Sequence, residues 1–541
     1  MGVAVPHNWW RTAVIYQVYV RSFADANGDG VGDLAGVRRR LPYLAALGVD
    51  ALWFNPWYAS PQTDGGYDVA DYRAIDPLFG DLAEASALIA EAHDLGLKVI
   101  IDIVPNHVSD RHAWFAEAVA AGPGSPPRER FWFRPGRGAL PPNDWQSVFG
   151  GPAWTRVTEP DGTPGEWYLH LFAPEQPDLN WNSAEVAAEH EDVLRFWFDR
   201  GADGVRIDSA TMPAKDPALA DFDPADPPLP HPFIDRDAVH DIYRAWRAVA
   251  DGYDPPRALI GEVWLDKPDR LAMYLRPDEM HTAFNFEYLN CTWDPKALRH
   301  VIDATLDAHA PVGAPATWVL SNHDVTRHVT RYGRADSSYG HRLRQHGTPV
   351  DVALGLRRAR AALLLDLALP GSVYLYQGEE LGLEEVEDIP GHLRQDPIFH
   401  RTHGADIGRD GCRVPLPWSG GSAPFGFSPD DATERPWLPQ PAGWNTRTAE
   451  VQTGDPDSML ELYRTAIQLR REHLTPVSAS LEWLPTDPEV LSFTRPGRFT
   501  FLANLSGEPV PLPPAAQVLL TSGPLTAGLL PPDTAAWLCS A

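Results

Sequence analysis

The stretch GVRIDS (204–209) ends a short apolar run on an acid, Asp208. Two further runs do the same: ALIGEV (258–263) delivers Glu262, and TWVLSN (317–322) leads directly into His323 and Asp324. Such runs, rich in Val, Ile, Leu and aromatics and without strict apolar–polar alternation, read as strands buried on both faces. In a parallel α/β barrel the C-terminal ends of the strands converge on one rim, and reacting groups gather there. Three acids on three strand ends are therefore aimed into one pocket. Arg206 stands two residues before Asp208, so on a strand both side chains project to the same side. A guanidinium that close is expected to hold Asp208 ionised at neutral pH.

Moving outward, strands of the same kind are expected at VIYQVYV (14–20), ALWFN (51–55), KVIIDIV (98–104), AFNFE (283–287) and VYLYQG (373–378). Helical stretches lie between them, for example DLAEASALIAEAHDLGL (81–97) and SAEVAAEHEDVLRFWFDRG (183–201), each ending at or near a glycine. Strands alternating with helices in this number predict an α/β fold, a (β/α)8 TIM barrel. Long Pro/Gly-rich stretches interrupt the repeat at 106–175, 212–236 and 379–456, and long loops on the active rim are usually functional. After the helix SMLELYRTAIQLRREHL (458–474) come SLEWL, VLSFTR, FTFLANL and QVLLTS, which predict a C-terminal antiparallel β-sandwich. The expected division is a barrel over 1–105 and 176–474, an inserted domain after the third strand over 106–175, and a C-terminal domain over 475–541.

Composition narrows the function. The net charge of −28 argues against nucleic acid and anionic membranes as partners, since both call for basic patches. It leaves neutral sugars open, and the 20 tryptophans supply the flat faces on which sugar rings stack, although core packing accounts for most of them. The three cysteines, Cys291, Cys412 and Cys539, form no disulfide or metal pattern. The N-terminal MGVAVPHNWWRTAV lacks the charged and apolar regions of a leader, and no run is long enough to span a bilayer, so a cytoplasmic location is expected. The segment DANGDGVGD (25–33) sets side-chain oxygens at Asp25, Asn27, Asp29 and Asp33, and the Val31 carbonyl, around a turn at Gly30. That is how an EF-hand-like calcium loop begins, but Gly36 stands where the twelfth-position Glu would be.

Taken in order, YQVYVRSF with NGDGVGDL (27–34), GGYDV (65–69), DIVPNH (102–107), QPDLNW (176–181), GVRID, GEVW, SNHD, QGEELG (377–382) and GRDGCRVPLPW (408–418) resemble the α-amylase family of glycoside hydrolases, on its α-glucosidase and oligo-1,6-glucosidase side. The resemblance runs from about Trp9 to the C-terminal domain. It implies that Asp208 is the nucleophile, Glu262 the acid/base, and Asp324 a third acid that orients the distorted sugar. Breaking a glycosidic bond with retention needs such a set. Glu262 must start protonated, which calls for a less polar setting, to which Val263 and Trp264 contribute. By the same resemblance His107 and His323 donate to sugar hydroxyls, Tyr67 is a stacking platform, and Asp68 with Arg413 clamps the non-reducing end. Arg409 competes with Arg413 for that place. The 25–33 loop is implied to hold a structural Ca2+ or Mg2+ far from the chemistry.

The expected activity is that of an exo-acting retaining α-glucosidase on small α-glucoside oligosaccharides, from a monomer or homodimer. In this branch Val after the nucleophile often accompanies α-1,6 preference, and small or hydroxylated residues accompany α-1,4. Ser209 points to α-1,4, while QPDLNW belongs with the 1,6 side. The alternative is a transglucosylase, sucrose isomerase or trehalose-forming mutase on the same scaffold. A non-enzymatic relative would have lost the acids, and this chain has all three.

Overall fold

A computed structural model describes residues 8–340, 345–474, 480–514 and 516–540. Residues 1–7 of the stretch read above as free of a leader, and 475–479 at the expected start of the C-terminal domain, lie outside them. Eight strands are central: β1 (Val14–Val18), β2 (Ala51–Phe54), β3 (Lys98–Ile103), β4 (Gly204–Ile207), β5 (Ala258–Gly261), β6 (Thr282–Ala283), β7 (Thr317–Val319) and β8 (Ser372–Tyr376). They form one sheet in the order β6-β5-β4-β3-β2-β1-β8-β7, with every pair parallel. The sheet is a nearly closed barrel. Its end strands β6 and β7 share no ladder among the described residues, and the Thr317 hydroxyl donates to the Ala283 carbonyl across that seam.

The strands are buried on both faces because each face meets a different core. In β1, Tyr16 and Val18 pack outward with Val37, Leu41 and Leu44 of the helix Leu34–Leu47. Ile15 packs into the barrel interior with Trp53, Ile100, Ile260, Phe284 and Tyr374. The period of two places Gln17 on the interior side with Ile15. Carboxylate caps start the surrounding helices: Asp33 accepts from the Gly36 amide at 2.6 Å, and Asp81 from the Glu84 amide at 2.9 Å.

The expected sixth strand, AFNFE, is corrected. Its ladder stops at Ala283, and the Asn285 side chain accepts from the Tyr288 amide at 3.0 Å to open the short helix Phe286–Asn290. The F-N-F-E alternation imitates a strand, but an Asn in the N-cap position decides otherwise.

Between β3 and the helix Ala184–Phe198 lie a helix, Ala113–Ala121, and a three-stranded antiparallel sheet with Pro164–Leu169 between Phe133–Arg134 and Trp154–Thr158. This insert has its own core of Trp132, Trp145, Trp154, Leu169 and Leu171. Met212, Leu219 and Phe233 complete it, so the Pro/Asp-rich loop after β4 packs on the insert.

The C-terminal domain is a five-stranded antiparallel sheet. Its order is Glu482–Trp483, Val490–Arg495, Phe499–Asn504, Thr534–Ser540 and Ala516–Thr521. One face sits on the helix Val352–Ala368, where Trp537 Nε1 donates to the Leu364 carbonyl at 2.9 Å. The other buries Leu502 and Leu538 against Leu530 of a two-stranded ribbon. The strand Thr534–Ser540, which the sequence reading left out, pairs on both its edges. No helix among the described residues is long and apolar enough to cross a membrane.

Candidate active site

Arg206 is the centre of the site. It points from β4 into the barrel, 2% exposed, and holds three acids on its two terminal nitrogens. Nη1 lies 2.9 Å from Asp102 Oδ1 and 2.8 Å from Asp208 Oδ1, and the other nitrogen lies 2.8 Å from Glu262 Oε2. One permanent positive charge faces three carboxyls. Burial raises Asp208 to about 6 despite Arg206, and raises both Asp102 and Glu262 to about 7. The expectation that Arg206 by itself settles the ionisation of Asp208 is therefore modified, because the guanidinium is shared and desolvation outweighs it.

Ser209 follows Asp208 in the left-handed region, with φ 45°. This turn directs its amide to Glu262 Oε2 at 2.8 Å. Trp264 Nε1 donates to Glu262 Oε1 at 2.9 Å, and its ring stacks on Phe286 at 3.4 Å between centroids. Trp264 thus holds the carboxyl as well as screening it.

Asp324 sits under a different set of charges. Its Oδ1 takes Arg409 Nη1 and an Arg413 terminal nitrogen, each at 3.0 Å, and its Oδ2 lies 3.2 Å from His323 Nε2. Burial works to raise this carboxyl, but its neighbours His323, Arg409 and Arg413 outweigh it and hold Asp324 well below the usual carboxylate range. Burial keeps His323 neutral, so the two guanidinium groups are the lasting cause. Arg409 and Arg413, the two arginines offered for the clamp, both reach the same oxygen of Asp324.

The expected clamp of Asp68 with Arg413 is corrected. Asp68 is wholly buried and accepts from the Ser60 hydroxyl and the Thr63 and Asp64 amides at 2.9–3.0 Å, so it shapes the turn. It is Asp64 that faces the arginines. Arg409 donates to Asp64 at 2.6 Å, and its Nε is held at 2.7 Å by Asp396, which is fully buried. Asp64 and Asp68 lie four residues apart, and only the turn between them shows which one faces the arginines. The resulting chain of buried charge runs Asp64–Arg409–Asp324–Arg413.

Tyr67 stacks on His323 at 5.3 Å with planes 5° apart, and its hydroxyl donates to Asp102 Oδ2 at 3.0 Å. Its face is turned to the histidine. His107 is fully buried, and burial, with Lys215 nearby, lowers it to about 3. Its Nε2 lies 3.1 Å from the Gln176 amide nitrogen, which also donates to Asp64. Lys215, from the loop after β4, pairs with Asp178 at 2.8 Å and donates to Asn106 at 2.6 Å, which fixes the residue beside His107. Sequence reasoning missed Asp64, Asp102, Gln176, Lys215 and Asp396. DIVPNH and QPDLNW contain Asp102 and Gln176, and Asp64 stands just before GGYDV, so the motifs marked the place without showing which residue in it mattered.

The 25–33 loop is closed by its own amides. Asp25 accepts from Gly28 and Gly30 at 2.7 and 3.0 Å, and Asn27 from Asp29 at 2.9 Å. Asp29 accepts from Val31 at 2.9 Å, and Asp33 from Ala26 at 3.0 Å. Burial raises Asp33, and the charge of Asp25 adds to it. The donor set is all hard oxygen, the kind that Ca2+ and Mg2+ take. Among the described residues, however, no three acids, histidines or cysteines converge as a metal cluster.

A parallel barrel whose strand ends hold an ionised acid, a second acid raised by burial and a shared guanidinium suits acid/base cleavage of glycosidic bonds. The catalytic-domain family of α-amylases matches residues 17–478, and a domain of unknown function matches 483–537. The chain belongs to the α-amylase family of glycoside hydrolases. It is 38% identical to a probable α-glucosidase of Rhizobium meliloti (strain 1021), with 90% of this chain and 87% of that protein covered. It is 33% identical to an oligo-1,6-glucosidase of Parageobacillus thermoglucosidasius, with 90% and 88% covered. Among solved structures, the α-glucosyl transfer enzyme XgtA superposes with a TM-score of 0.84 at 34% identity, covering 98% of this chain and 99% of that one. An isomaltulose synthase mutant of Erwinia rhapontici NX5 in complex with sucrose gives 0.84 at 29% identity, covering 99% of each.

Proposed function

We propose that the protein is an exo-acting retaining α-glucosidase that removes terminal non-reducing α-linked glucose, favouring α-1,4 bonds and extending to α-1,6 bonds or sucrose. The Asp64–Arg409–Asp324–Arg413 chain carries this reading. We propose that it forms a wall of buried charge closing one end of the substrate groove, which then accepts a chain terminus and excludes a chain that runs through. Asp208 and Glu262 share one guanidinium and so stand side by side, as attack on the anomeric carbon by a carboxylate requires.

In the first step Asp208, as carboxylate, forms a bond to the anomeric carbon while Glu262 gives its proton to the departing glycosidic oxygen. The product is a β-glucosyl ester on Asp208. In the second step Glu262, now a carboxylate, takes a proton from water, and the water oxygen displaces Asp208 to leave α-glucose. Asp324, held ionised by two arginines, accepts from sugar hydroxyls throughout. Its charge strengthens those bonds as the ring flattens toward the oxocarbenium ion. His323 donates to a hydroxyl of the same ring, whereas the expected donation from His107 is corrected, because its two ring nitrogens each face an amide nitrogen, Asn106 Nδ2 and Gln176 Nε2, at 3.1 Å.

A second reading, transfer to a sugar instead of water, is supported by the likeness to a glucosyl transfer enzyme and a sucrose isomerase. Both readings share the first step. Product stoichiometry on maltose separates them: two glucoses per maltose consumed are expected. One glucose accompanied by a new disaccharide or longer sugar would overturn hydrolysis in favour of transfer.

We also propose a Ca2+ or Mg2+ ion on the 25–33 loop, supported by the alternating oxygens and by the buried pair Asp25 and Asp33. Adding either ion to chelator-treated protein should raise its unfolding temperature without changing kcat. An unmoved melt rules the ion out.

A further inference from the structure

Gln17 lies inside the barrel, 1% exposed, and belongs to a chain of hydrogen bonds whose direction can be read from one end. Asp102 Oδ2 accepts from Trp53 Nε1 at 3.2 Å and from the Tyr67 hydroxyl at 3.0 Å. Because Tyr67 spends its only proton there, its oxygen accepts from Asn55 Nδ2, at 2.7 Å. Asn55 therefore turns Oδ1 to Gln17, whose Nε2 donates to it at 2.9 Å. The same Nε2 lies 2.8 Å from His323 Nδ1. With one amide proton used on Asn55, the other goes to Nδ1, which accepts.

We infer that Gln17 is a positioning residue that keeps His323 in the tautomer protonated on Nε2, the nitrogen facing Asp324 and the sugar. The inference rests on the role given to His323 above. The ring is held flat between Tyr67, 5.3 Å away, and Tyr19, 6.1 Å away, so it cannot swing to present its other nitrogen. The wrong tautomer would turn a lone pair on Nε2 toward the Asp324 carboxylate, 3.2 Å away, and toward the hydroxyl that Nε2 should serve. Charged and titratable groups around His323 are Asp324, Arg206, Arg409 and Arg413, with Tyr19, Tyr67 and Cys412. None of them donates to Nδ1 among the described contacts.

Gln17→Met keeps the volume and removes the donor, and Gln17→Glu keeps the shape and donates only while protonated. Both are compared with the unchanged protein for kcat/KM on maltose from pH 5 to 8, for glucose binding by calorimetry, and for unfolding midpoint. Gln17→Met should lose roughly 10- to 100-fold in kcat/KM at every pH, as for one misdirected hydrogen bond in a site, and should bind glucose more weakly. Gln17→Glu should recover much of the loss at the acid end and fall away as its carboxyl ionises, adding an alkaline limb of its own. A folded Gln17→Met with kcat/KM and glucose binding within twofold of the unchanged protein would overturn the inference. So would a Gln17→Glu profile parallel to the original. If the unchanged protein does not cleave maltose, the functional reading fails instead, and glucose binding still decides the role of Gln17.

Discussion

Replacing Arg409 with Leu tests the closed end of the pocket most directly. The side chain is 8% exposed and gives hydrogen bonds to Asp396, Asp64 and Asp324. Leu restores none of these. Asp324 keeps Arg413 at 3.0 Å and stays ionised, but Asp396, with no exposed side-chain surface, loses its guanidinium partner. Removing one member of a buried ion pair costs about 3–5 kcal/mol. The unfolding midpoint in urea should fall accordingly. Asp64 and Asp324, left to repel across the gap, would also hold the glucose poorly. A loss of about 100- to 1000-fold in kcat/KM on maltose is expected, or about 3–4 kcal/mol of transition-state binding. Arg409→Lys keeps the charge but reaches only one acid, so it should recover part of the stability and little of the activity. The assay is initial-rate glucose release from maltose and from longer malto-oligosaccharides. If Arg409→Leu retains kcat/KM within tenfold and an unchanged midpoint, the wall plays no part in binding and the exo reading loses its support.

Further outcomes follow from the same geometry. Activity needs one of the coupled acids ionised and the other protonated, and burial raises both Asp208 and Glu262 above the usual carboxylate range, so kcat/KM on maltose should be bell-shaped with its acid limb moved up toward neutral pH. A flat profile from pH 5 to 8 would contradict that pairing. Asp64→Asn should lower kcat/KM by about 100-fold, because it removes the charge facing Arg409. Asp68→Ala should leave catalysis nearly intact and cost about 1–3 kcal/mol in urea unfolding, by stranding the Thr63 and Asp64 amides. Thr317→Val at the barrel seam should cost about 1 kcal/mol of stability and leave kcat unchanged.

Much of this was legible from strand ends. GVRID, GEVW and SNHD each present one acid after a short buried run, and the fold sends all such positions to one rim. Arg206 was legible beside Asp208 because the strand period places them together. That it also grips Asp102 was not, because the contact joins residues 104 apart. The wall is less legible still, since Arg409 meets Asp64 across 345 residues and two loops of no regular structure. Local pattern misled at Phe286, where alternation suggested a strand and an Asn cap made a helix. It was silent at Thr534–Ser540, whose small residues Ala535 and Ala536 give little strand signal although both edges are paired.

One guanidinium among Asp102, Asp208 and Glu262 also fixes how many protons the empty pocket keeps near neutral pH, and so what it exchanges with bulk water on filling. A ligand that brings its own cation to the anomeric position, such as a protonated imino sugar, supplies the charge that the third carboxyl lacks. That carboxyl then gives up its proton on binding. The observed heat of binding would vary with the ionisation enthalpy of the buffer, while for neutral glucose it would not. Calorimetry in two buffers thus counts protons at a site whose carboxyls are too closely coupled to titrate one at a time.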